Sequence, residues 1–467
     1  MRFLPLALLL VATPALAQDL TPAETSKVDS IVTDTLARNG VPSASVAIVR
    51  DGKIVFAKAY GKQSETIATP RADAPYQIAS VSKQFTAAAI LLLKDEGKLS
   101  LDDNVAKWVP GITDGDKITI RQLLSHTSGL QDYWPQDYSF AAMEKPVTPQ
   151  QIIDRWAKKP LDFAPGTQWQ YSNTGYVVAG LIVEKAAGKP LLTYLQDKVF
   201  KPLGMKVIDQ DLAVGKGFPQ GYHRYALGPV RVEKPAARGW LFAAGELAMS
   251  ASDLAKWDIA RLNRGVMPAD DWQVQETPIL LTNGKSTNYG LGVFTGTAKG
   301  HRYVEHSGEA VGFLSENIVY PDDKAAIVVL VNSDFSDAFT GIASQISELI
   351  LPPATEPAAA GDTETAKTAQ ARTIFDQLRT GRLDRATMTE DANYYFDATA
   401  IGDYRDSLAK LGDPASFTLT RPARLRGGFV NRNYTVTYAN GTKLAVVTYA
   451  EPDGAGRYEQ FIVMPAE

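Results

Sequence analysis

Apolar strand patterns occur in two widely separated stretches of this chain, and their separation constrains the fold most. Ala44 to Tyr60 has the pattern of a β-hairpin with a turn at Asp51 and Gly52. Two further strands lie far along the chain, at Phe313 to Tyr320 and at Ala325 to Val331. The residues between these stretches have mostly helical patterns. Alternating βαβ units would spread the strands evenly, so the sequence predicts an α+β fold.

The middle stretch contains several helical segments. Gln84 to Leu93 is apolar on nearly all sides, which indicates a buried helix. The segments 148–158, 175–188 and 252–263 have the amphipathic spacing of helices that pack against a core, and Phe339 to Leu351 is predicted to be helical as well.

The composition changes after residue 351. Residues 352–368 are rich in Pro, Ala, Thr, Glu and Gly, which predicts a linker. Two helical segments and four strands follow, with a hairpin turn at Asn440 and Gly441. We therefore expect a main domain over 18–351 and a smaller α+β domain over 369–467.

Residues 1–17 have the pattern of a secretory signal peptide. Arg2 precedes the apolar stretch Phe3 to Ala12, and Ala15 to Ala17 forms a small-x-small cleavage signal. The segment is shorter than the roughly 20 apolar residues of a membrane-spanning helix. The chain also has no cysteine, so no disulfide or acylated thiol is available. The sequence predicts a periplasmic or secreted protein without a membrane anchor.

Charge and histidine spacing exclude two classes of site. The chain has 48 Lys and Arg against 52 Asp and Glu, with no long run of one sign. Nucleic-acid binding needs a basic surplus, so no nucleic-acid partner is expected. The four histidines lie far apart and lack the paired spacing of zinc ligands. The prediction is therefore a protein without metal or organic cofactor.

An SxxK pattern at Ser80 and Lys83 is the first candidate for chemistry. On a helix, three residues of spacing place Lys83 beside Ser80, and a serine hydroxyl needs a nearby base before it can attack a carbonyl. Burial and the helix dipole both lower the pKa of such a lysine. The pattern alone is weak, because Ser80 could equally be a helix N-cap and the same spacing recurs at Ser407 and Lys410.

The order of later motifs separates the two copies. Tyr171 to Asn173 follows Ser80 by 91 residues, and His306 to Gly308 follows Tyr171 by 135. Taken singly, Tyr171 could be a core aromatic residue and Asn173 a turn residue. After Ser407 only Tyr438 to Asn440 matches, on a predicted hairpin, and no histidine follows. We therefore predict that the first copy is the site and the second is a coincidence.

These motifs resemble the serine β-lactamase and penicillin-binding superfamily, in particular its class C β-lactamase, DD-peptidase and esterase branch. The similarity extends over roughly 28–351 and implies a β-lactamase-like antiparallel sheet built from strands at both ends of that region. Its specific segments are ASVSKQFT at 79–86, LLSHTSGL at 123–130, QYSNTGY at 170–176, NYGLGV at 288–293 and HSGEAVGF at 306–313. The smaller C-terminal domain is similar, in element order only, to the cone-shaped domains of the nuclear-transport-factor-like superfold.

The resemblance implies three catalytic residues. Ser80 corresponds to the nucleophile that forms the acyl-enzyme, and Lys83 to its proton partner. Tyr171 resembles the phenol that moves a proton between nucleophile, leaving group and water.

It also implies a set of substrate-binding residues. Asn173 would orient the amide of the substrate, and His306, Ser307 and Gly308 would form the third motif. The backbone amide of Glu309, with that of the nucleophile, would form the oxyanion hole, a feature typically worth about a hundred- to a thousand-fold in rate.

His306 is the departure from the family pattern that matters most. Class C β-lactamases usually have a lysine there, whereas a histidine is mostly neutral at pH 7 and attracts a β-lactam carboxylate less. HxG variants resemble DD-peptidases, D-aminopeptidases and carboxylesterases. A Glu base with class A spacing is missing, and so is the GxSxG motif of α/β-hydrolases. We interpret His126 as a structural residue of the HTSG turn.

The sequence thus predicts an exported serine hydrolase that acts through an acyl-enzyme on Ser80. Its expected substrates are small molecules or peptides: D-amino-acid peptides, peptidoglycan-derived fragments or small esters. Two alternatives stay open, a class C-type β-lactamase and a catalytically idle protein that binds peptidoglycan or a partner. The complete Ser, Lys, Tyr and Asn set favours an enzyme. Oligomeric state and the role of the C-terminal domain do not follow from the sequence.

Overall fold

The structure is a computed structural model that describes residues 19–134, 141–351, 364–420, 423–426, 429–452 and 456–466. The predicted signal peptide lies outside the described residues. None of the described helices is both long and apolar enough to cross a membrane.

Thirteen α-helices are present in the described residues. They are α1 Pro22–Asn39, α2 Lys83–Asp95, α3 Ile120–Leu124, α4 Pro149–Ile152, α5 Asn173–Ala187, α6 Leu191–Leu195, α7 Phe242–Gly245, α8 Ala251–Leu262, α9 Ala269–Glu276, α10 Ala338–Ile350, α11 Thr365–Thr380, α12 Glu390–Tyr395 and α13 Ala398–Leu408.

Sixteen β-strands accompany them in the same residues. They are β1 Ser43–Arg50, β2 Lys53–Gly61, β3 Tyr76–Gln77, β4 Val207–Asp209, β5 Tyr222–His223, β6 Arg231–Val232, β7 Leu247–Met249, β8 Phe294–Ala298, β9 His301–Ala310, β10 Phe313–Tyr320, β11 Ala325–Val331, β12 Ser416–Leu419, β13 Arg424–Arg426, β14 Phe429–Thr437, β15 Lys443–Ala450 and β16 Tyr458–Pro465.

The largest sheet has six antiparallel strands in the order β2-β1-β11-β10-β9-β8. It therefore joins the first hairpin to strands from much later in the chain. Ser43, at the start of β1, donates its backbone N–H to Asn332 Oδ1 at 2.9 Å across a sequence separation of 289 residues. This arrangement confirms the predicted α+β fold.

Both faces of this sheet are covered, and β1 shows how. Val46 and Ile48 belong to an apolar cluster formed with α1 and α10, whereas Ala47 and Val49 belong to a second cluster formed with α2 and α8. Successive side chains of a strand point to opposite faces, so a strand buried on both sides must be apolar throughout. The same alternation accounts for β11, in which every residue is buried.

The C-terminal region, residues 364–466, has its own apolar cluster between α11 to α13 and a sheet in the order β12-β14-β15-β16, with β13 paired to β14. It contacts the main sheet region through several polar groups. Arg231 pairs with Asp403, and the Leu227 backbone N–H donates to Ser407 Oγ at 3.2 Å.

Two of the predicted elements differ in the structure. Helix α11 begins at Thr365, so residues 365–368 of the predicted linker are helical, while 352–363 lie outside the described residues. The predicted helix at 148–158 is α4 followed by a π-helical turn over Ile153–Ala157.

Candidate active site

Ser80 lies on a strained turn in front of a buried helix. It belongs to a 3-10 turn over Ala79–Ser82, and α2 begins at Lys83, three residues after it. Residues at i and i+3 of a 3-10 turn lie directly above one another, so the predicted pairing holds although the α-helix starts later than Ser80. Ala79 has φ of 47°, a left-handed conformation that costs a non-glycine residue about 1 kcal/mol or more.

Lys83 is fully buried and is surrounded by three acceptors. Its Nζ donates to Ser80 Oγ at 2.9 Å, to Asn173 Oδ1 at 2.8 Å and to Ala244 O at 2.7 Å. Burial holds the pKa of Lys83 well below its usual value, although the charge of Asp132 opposes this effect. A lysine that loses its proton so readily can accept the proton of the adjacent Ser80 hydroxyl.

Tyr171 and Asn173 reach Ser80 from the start of α5. The Ser172 hydroxyl caps this helix by accepting the Gly175 N–H at 3.2 Å, which fixes the residues on either side of it. Lys83 Nζ lies 4.9 Å from the centre of the Tyr171 ring. Burial raises the pKa of Tyr171 well above its usual value, and a hydrogen bond with Ser80 opposes the rise. The phenol is therefore protonated at neutral pH and available as a proton donor.

Asp132 completes this group, and no sequence motif pointed to it. Its Oδ1 accepts the backbone N–H of Asn173 at 3.0 Å and of Trp134 at 3.1 Å, and its Oδ2 accepts Asn173 Nδ2 at 3.2 Å. Burial raises the pKa of Asp132 to about 6, so the carboxyl is ionised above that pH. The only feature of the sequence that could have indicated Asp132 is its position six residues after His126 of the HTSG segment, in a loop whose conformation could not be predicted.

A chain of hydrogen bonds joins the HTSG turn to the third motif. His126 Nδ1 accepts the Ser172 N–H at 3.1 Å, and its Nε2 lies 3.2 Å from the Tyr289 hydroxyl. That hydroxyl is 2.9 Å from His306 Nε2, and His306 Nδ1 is 2.6 Å from Ser307 O. One assignment satisfies every member: His126 donates from Nε2, Tyr289 donates to His306, and His306 donates from Nδ1 to the carbonyl.

The imidazoles of His126 and His306 are both neutral. Burial and the nearby Lys83 lower the pKa of His306 to about 3, and the same two causes hold the pKa of His126 well below its usual value. Because both nitrogens of His306 already bond to protein groups, the ring contributes shape rather than charge to the cleft. His126 also packs against Tyr171, with 4.2 Å between the ring centres.

The third motif lies on β9, next to the turn that carries Ser80. A Cβ atom at Gly308 would come within 2.1 Å of Ile78 O and 2.3 Å of Ser315 Oγ, so only glycine allows this approach. Ser307 and Glu309, on either side of it, both line the cleft. The structure thus brings every predicted site residue close to Ser80, with Gly308 serving as a packing residue.

The cleft itself is a cavity of about 310 Å³. It is lined by Ser80, Trp134, Trp169, Tyr171, Asn173, Leu241, Phe294, Glu305, His306, Ser307, Glu309, Arg424 and Arg426. The last two residues belong to β13 of the C-terminal region. That region therefore forms part of the wall of the site, which no sequence pattern had indicated.

Comparison with known proteins assigns the family. A model of the beta-lactamase family matches residues 28–348. The chain belongs to the beta-lactamase family. This confirms the resemblance inferred from the motifs, and it establishes a serine hydrolase of the beta-lactamase fold.

Two curated relatives are similar over the same region. Penicillin-binding protein 4* of Bacillus subtilis (strain 168) is 29% identical over 340 residues, which is 68% of this chain and 74% of that protein. Protein flp of Staphylococcus aureus (strain MW2) is 32% identical over 330 residues, which is 67% of this chain and 64% of that protein.

Solved structures share the fold. A D-stereospecific amidohydrolase from Streptomyces sp. is 27% identical with a TM-score of 0.57, covering 67% of this chain and 95% of that one. The D-amino acid amidase from Ochrobactrum anthropi is 25% identical with a TM-score of 0.59, covering 70% and 98%. An octameric penicillin-binding protein homologue from Pyrococcus abyssi covers 94% of this chain and 99% of that one, at 22% identity and a TM-score of 0.61. This last likeness includes the C-terminal region in the shared fold.

The second SxxK sequence, at Ser407 and Lys410, lacks the buried acceptors and aromatic rings that surround Ser80 and Lys83. The Ser407 hydroxyl donates to Asp403 O at 2.6 Å and accepts the Leu227 N–H at 3.2 Å. Lys410 is exposed in the 3-10 turn that follows α13. The Ser407 side chain therefore joins α13 to the segment at Leu227, and nothing in the described contacts activates it.

Among the described residues, one group of side chains could share a metal ion. His223, Glu233 and Asp334 have ligand atoms within 4.8 Å of one another. However, His223 Nδ1 is already 3.0 Å from Asp334 Oδ1, and Asp334 Oδ2 accepts the Gly312 N–H at 2.8 Å. Ordinary hydrogen bonds account for the arrangement, and none of the three residues lines the cleft at Ser80.

Proposed function

We propose that this protein hydrolyses amides or esters of D-amino-acid compounds through an acyl-enzyme on Ser80. The observation that carries the proposal is that Ser80 and Tyr171 line one cavity while Lys83 contacts Ser80 Oγ from behind it. The similar solved structures of a D-stereospecific amidohydrolase and a D-amino acid amidase support D-amino-acid compounds as the substrate class.

The chemistry can be written from the contacts. In the proposed acylation, Lys83 Nζ takes the proton of the Ser80 hydroxyl, and Oγ forms a bond to the substrate carbonyl carbon. Tyr171 then donates its phenolic proton to the leaving nitrogen or oxygen as the scissile bond breaks, and it regains a proton from Lys83. In deacylation a water molecule gives up a proton to the same pair, and its oxygen bonds to the carbonyl carbon of the ester. The bond between that carbon and Ser80 Oγ then breaks, Oγ takes the proton from the pair, and the acid product leaves.

Asn173 and Asp132 position this machinery. Asp132 fixes the side-chain amide of Asn173, whose oxygen then faces Lys83. We propose that Asn173 also contacts the substrate amide, and that the backbone amides of Ser80 and Glu309 stabilise the oxyanion.

Two features of the cavity limit the range of substrates that we expect it to accept. His306 is neutral, so the third motif lacks the charge that would hold the carboxylate of a β-lactam. This argues against efficient β-lactamase activity. Besides Tyr171, four lining side chains are apolar or aromatic: Trp134, Trp169, Leu241 and Phe294. Such a wall favours a substrate that carries an apolar or aromatic group.

A labelling experiment with a matched control tests the nucleophile. A fluorescent penicillin or fluorophosphonate should label the native protein and Ser407→Ala equally, and should fail to label Ser80→Ala. The control is close, because both variants remove the serine of an SxxK sequence. Equal labelling of Ser80→Ala and the native protein would reject the assignment.

A substrate panel then tests the class. We expect D-phenylalanine and D-alanine amides or p-nitrophenyl esters to be hydrolysed faster than their L counterparts, and a chromogenic cephalosporin to be turned over slowly. Rapid cephalosporin turnover with no D-amide activity would favour a β-lactamase instead.

We also propose that the protein is exported, on the basis of residues 1–17 alone. Cell fractionation with N-terminal sequencing tests this. A periplasmic or extracellular product that begins at Gln18 is expected, and a cytoplasmic product that retains Met1 would contradict it.

A further inference from the structure

A second cavity lies between the edge of the main sheet and helix α10. Its volume is about 490 Å³, within the range of small-molecule sites. Its walls come from β9, β10, the turn between β8 and β9, and α10 with the residue that follows it. Among the described residues, Glu305 alone lines both this cavity and the one at Ser80. The two cavities are therefore neighbours with separate walls.

Much of this second wall is apolar, and several of its polar groups already have protein partners. The Tyr320 and Ser347 hydroxyls are 2.8 Å apart, and Ser347 donates to Ala343 O at 2.8 Å. Lys299 and Glu348, both about half exposed, form an ion pair with each other. The aliphatic surface of the cavity comes from Ala298, Ile318, Ala343 and Leu351.

Two acidic side chains, Glu305 and Glu316, interrupt this apolar wall. On β10, Glu316 occupies the same face as Leu314 and Ile318, which pack in the apolar cluster with α1 and α10. Glu305 lies opposite Ile318 on β9, and the two carboxyls share a hydrogen bond. Two carboxyl groups can bond to each other only if one of them holds a proton. In this arrangement the pair therefore carries at most one negative charge.

The pair lacks a positive partner and one hydrogen-bond donor. Of the described lysines, arginines and histidines, none forms an ion pair with either carboxyl. Glu316 is only 6% exposed, and its Oε1 has no hydrogen-bond partner in the described part of the chain. By contrast, the buried Asn317 on the opposite face of β10 donates to Asp258 Oδ1 at 2.8 Å and to its Oδ2 at 2.9 Å. Buried polar groups nearly always have partners, so Glu316 indicates a donor that these protein atoms do not supply.

Electrostatic effects point to a positively charged donor. Burial raises the pKa of both carboxyls, and the neighbouring Glu305 raises that of Glu316 further. An opposite charge within about 4 to 6 Å favours the ionised form of a carboxyl and would take the place of the shared proton. A bound cation would therefore relieve the repulsion within the pair and supply the missing donor.

The walls of the cavity favour an organic cation over a metal ion. Ca²⁺ and Mg²⁺ coordinate about six or more oxygen atoms, whereas Glu305 and Glu316 belong to no group of three metal-ligating side chains among the described residues. A single water molecule, at about 30 Å³, would fill only a small part of the space. An ammonium group offers up to three N–H donors, and a hydrocarbon body attached to it matches the aliphatic wall.

We propose that this cavity binds a small organic amine in its ammonium form, with the nitrogen bonded to Glu305 and Glu316 and the apolar body against the aliphatic wall. The site takes no part in the acyl-enzyme chemistry at Ser80, so the inference does not depend on the proposed function. A neutral molecule of the same shape should bind more weakly, because it leaves the carboxyl pair without an opposite charge.

Calorimetry at neutral pH tests the proposal with phenethylamine and n-hexylamine, and 2-phenylethanol and 1-hexanol are uncharged controls of nearly the same shape. We expect the native protein to bind the amines at least about 10-fold more tightly than the alcohols. Glu316→Gln should lower the affinity for the amines by about 10- to 150-fold, the range for loss of a hydrogen bond to a charged group. It should change the affinity for the alcohols by less than about threefold.

Two further variants locate the site. Glu309→Gln removes an acid that lines only the cavity at Ser80, and it should keep the native affinity for the amines. Ser344→Trp fills the second cavity while both carboxyls remain, so it should abolish amine binding. Thermal unfolding checks that each variant is folded. In a crystal structure with phenethylamine, the nitrogen should lie within about 3 Å of a carboxylate oxygen of Glu305 or Glu316.

Several results would overturn the proposal. Loss of amine binding in Glu309→Gln but not in Glu316→Gln would place the amine in the cavity at Ser80, and native affinity in folded Ser344→Trp would exclude the second cavity. Equal binding of amines and alcohols would mean that the carboxyl pair does not recognise charge. No binding of either amine at about 10 mM would reject an ammonium site, as would thermal stabilisation of the native protein by CaCl2 or MgCl2 but not by the amines.

Discussion

Replacing Asp132 by asparagine tests the arrangement of the site most directly. The two side chains have the same shape, so the change replaces one oxygen by an NH2 group and removes one charge. In the native protein Asp132 Oδ2 accepts Asn173 Nδ2, which leaves the Asn173 oxygen facing Lys83 at 2.8 Å. In Asp132→Asn two NH2 groups face each other. Either that bond is lost, or the Asn173 amide turns over and presents its NH2 group to Lys83.

The structure sets the size of the effect. A hydrogen bond to a charged group contributes about 1.5 to 3 kcal/mol, which corresponds to about 10- to 150-fold in kcat/KM if it is lost in the transition state. The missing charge has a second effect, because Asp132 raises the pKa of Lys83. Without it the pKa of Lys83 falls further. If the neutral amine is the base, the acid limb of the pH profile moves to lower pH.

The assay is ester hydrolysis by the native protein and Asp132→Asn, followed from pH 5 to 9. Asp102→Asn serves as the control, since Asp102 is an exposed acid paired with Arg121, and it should keep native rates. Thermal unfolding of each variant checks that the fold is retained. A folded Asp132→Asn protein with rates within twofold of native and an unmoved acid limb would refute the reasoning.

Three further changes test other parts of the structure. Gly308→Ala places a Cβ atom within 2.1 Å of Ile78 O, so we expect at least a hundred-fold loss of ester hydrolysis. Native activity of this variant would show that β9 can shift to accept the added atom. Tyr289→Phe removes the hydrogen-bond partner of Nε2 in both His126 and His306, at a cost of about 1 to 3 kcal/mol each. A urea unfolding curve with native stability would contradict the proposed chain of hydrogen bonds. Burial raises the pKa of Glu246 from 4.5 to about 8. The native state therefore binds its proton more tightly, and stability is lost as the pH rises through this range. Glu246→Gln should raise the melting temperature at pH 9 by several degrees and leave it nearly unchanged at pH 5, and the reverse pattern would contradict the pKa shift.

Much of the sheet could be predicted from the sequence. Strand β9 could not. The bounds of β10 and β11 match the predictions, because these strands are apolar and end at turn residues. In β9 the buried side of the alternation consists of Val304, His306, Gly308 and Ala310. Small and polar residues at those positions conceal the period on which strand prediction depends.

The catalytic residues were predicted because they occur as local motifs in a fixed order. Asp132 and Arg426 were missed because neither belongs to a motif. Asp132 acts through contacts with residues 41 positions later, and Arg426 comes from a region with a separate apolar core. Helix α1 was also overlooked, although Thr21 and Glu24 form a capping box and Gly40 ends it.

The pairing of β1 with β11 has a consequence for synthesis of the protein. A ribosome releases the first hairpin long before it reaches Val331, and until then one edge of β1 has no hydrogen-bonding neighbour. During that interval the open edge of β1 and the apolar face that later packs against α8 are exposed, and such surfaces promote aggregation of incomplete chains. Any fragment that stops before β11 should therefore aggregate rather than fold, because the edge of β1 that pairs with β11 in the complete protein stays open.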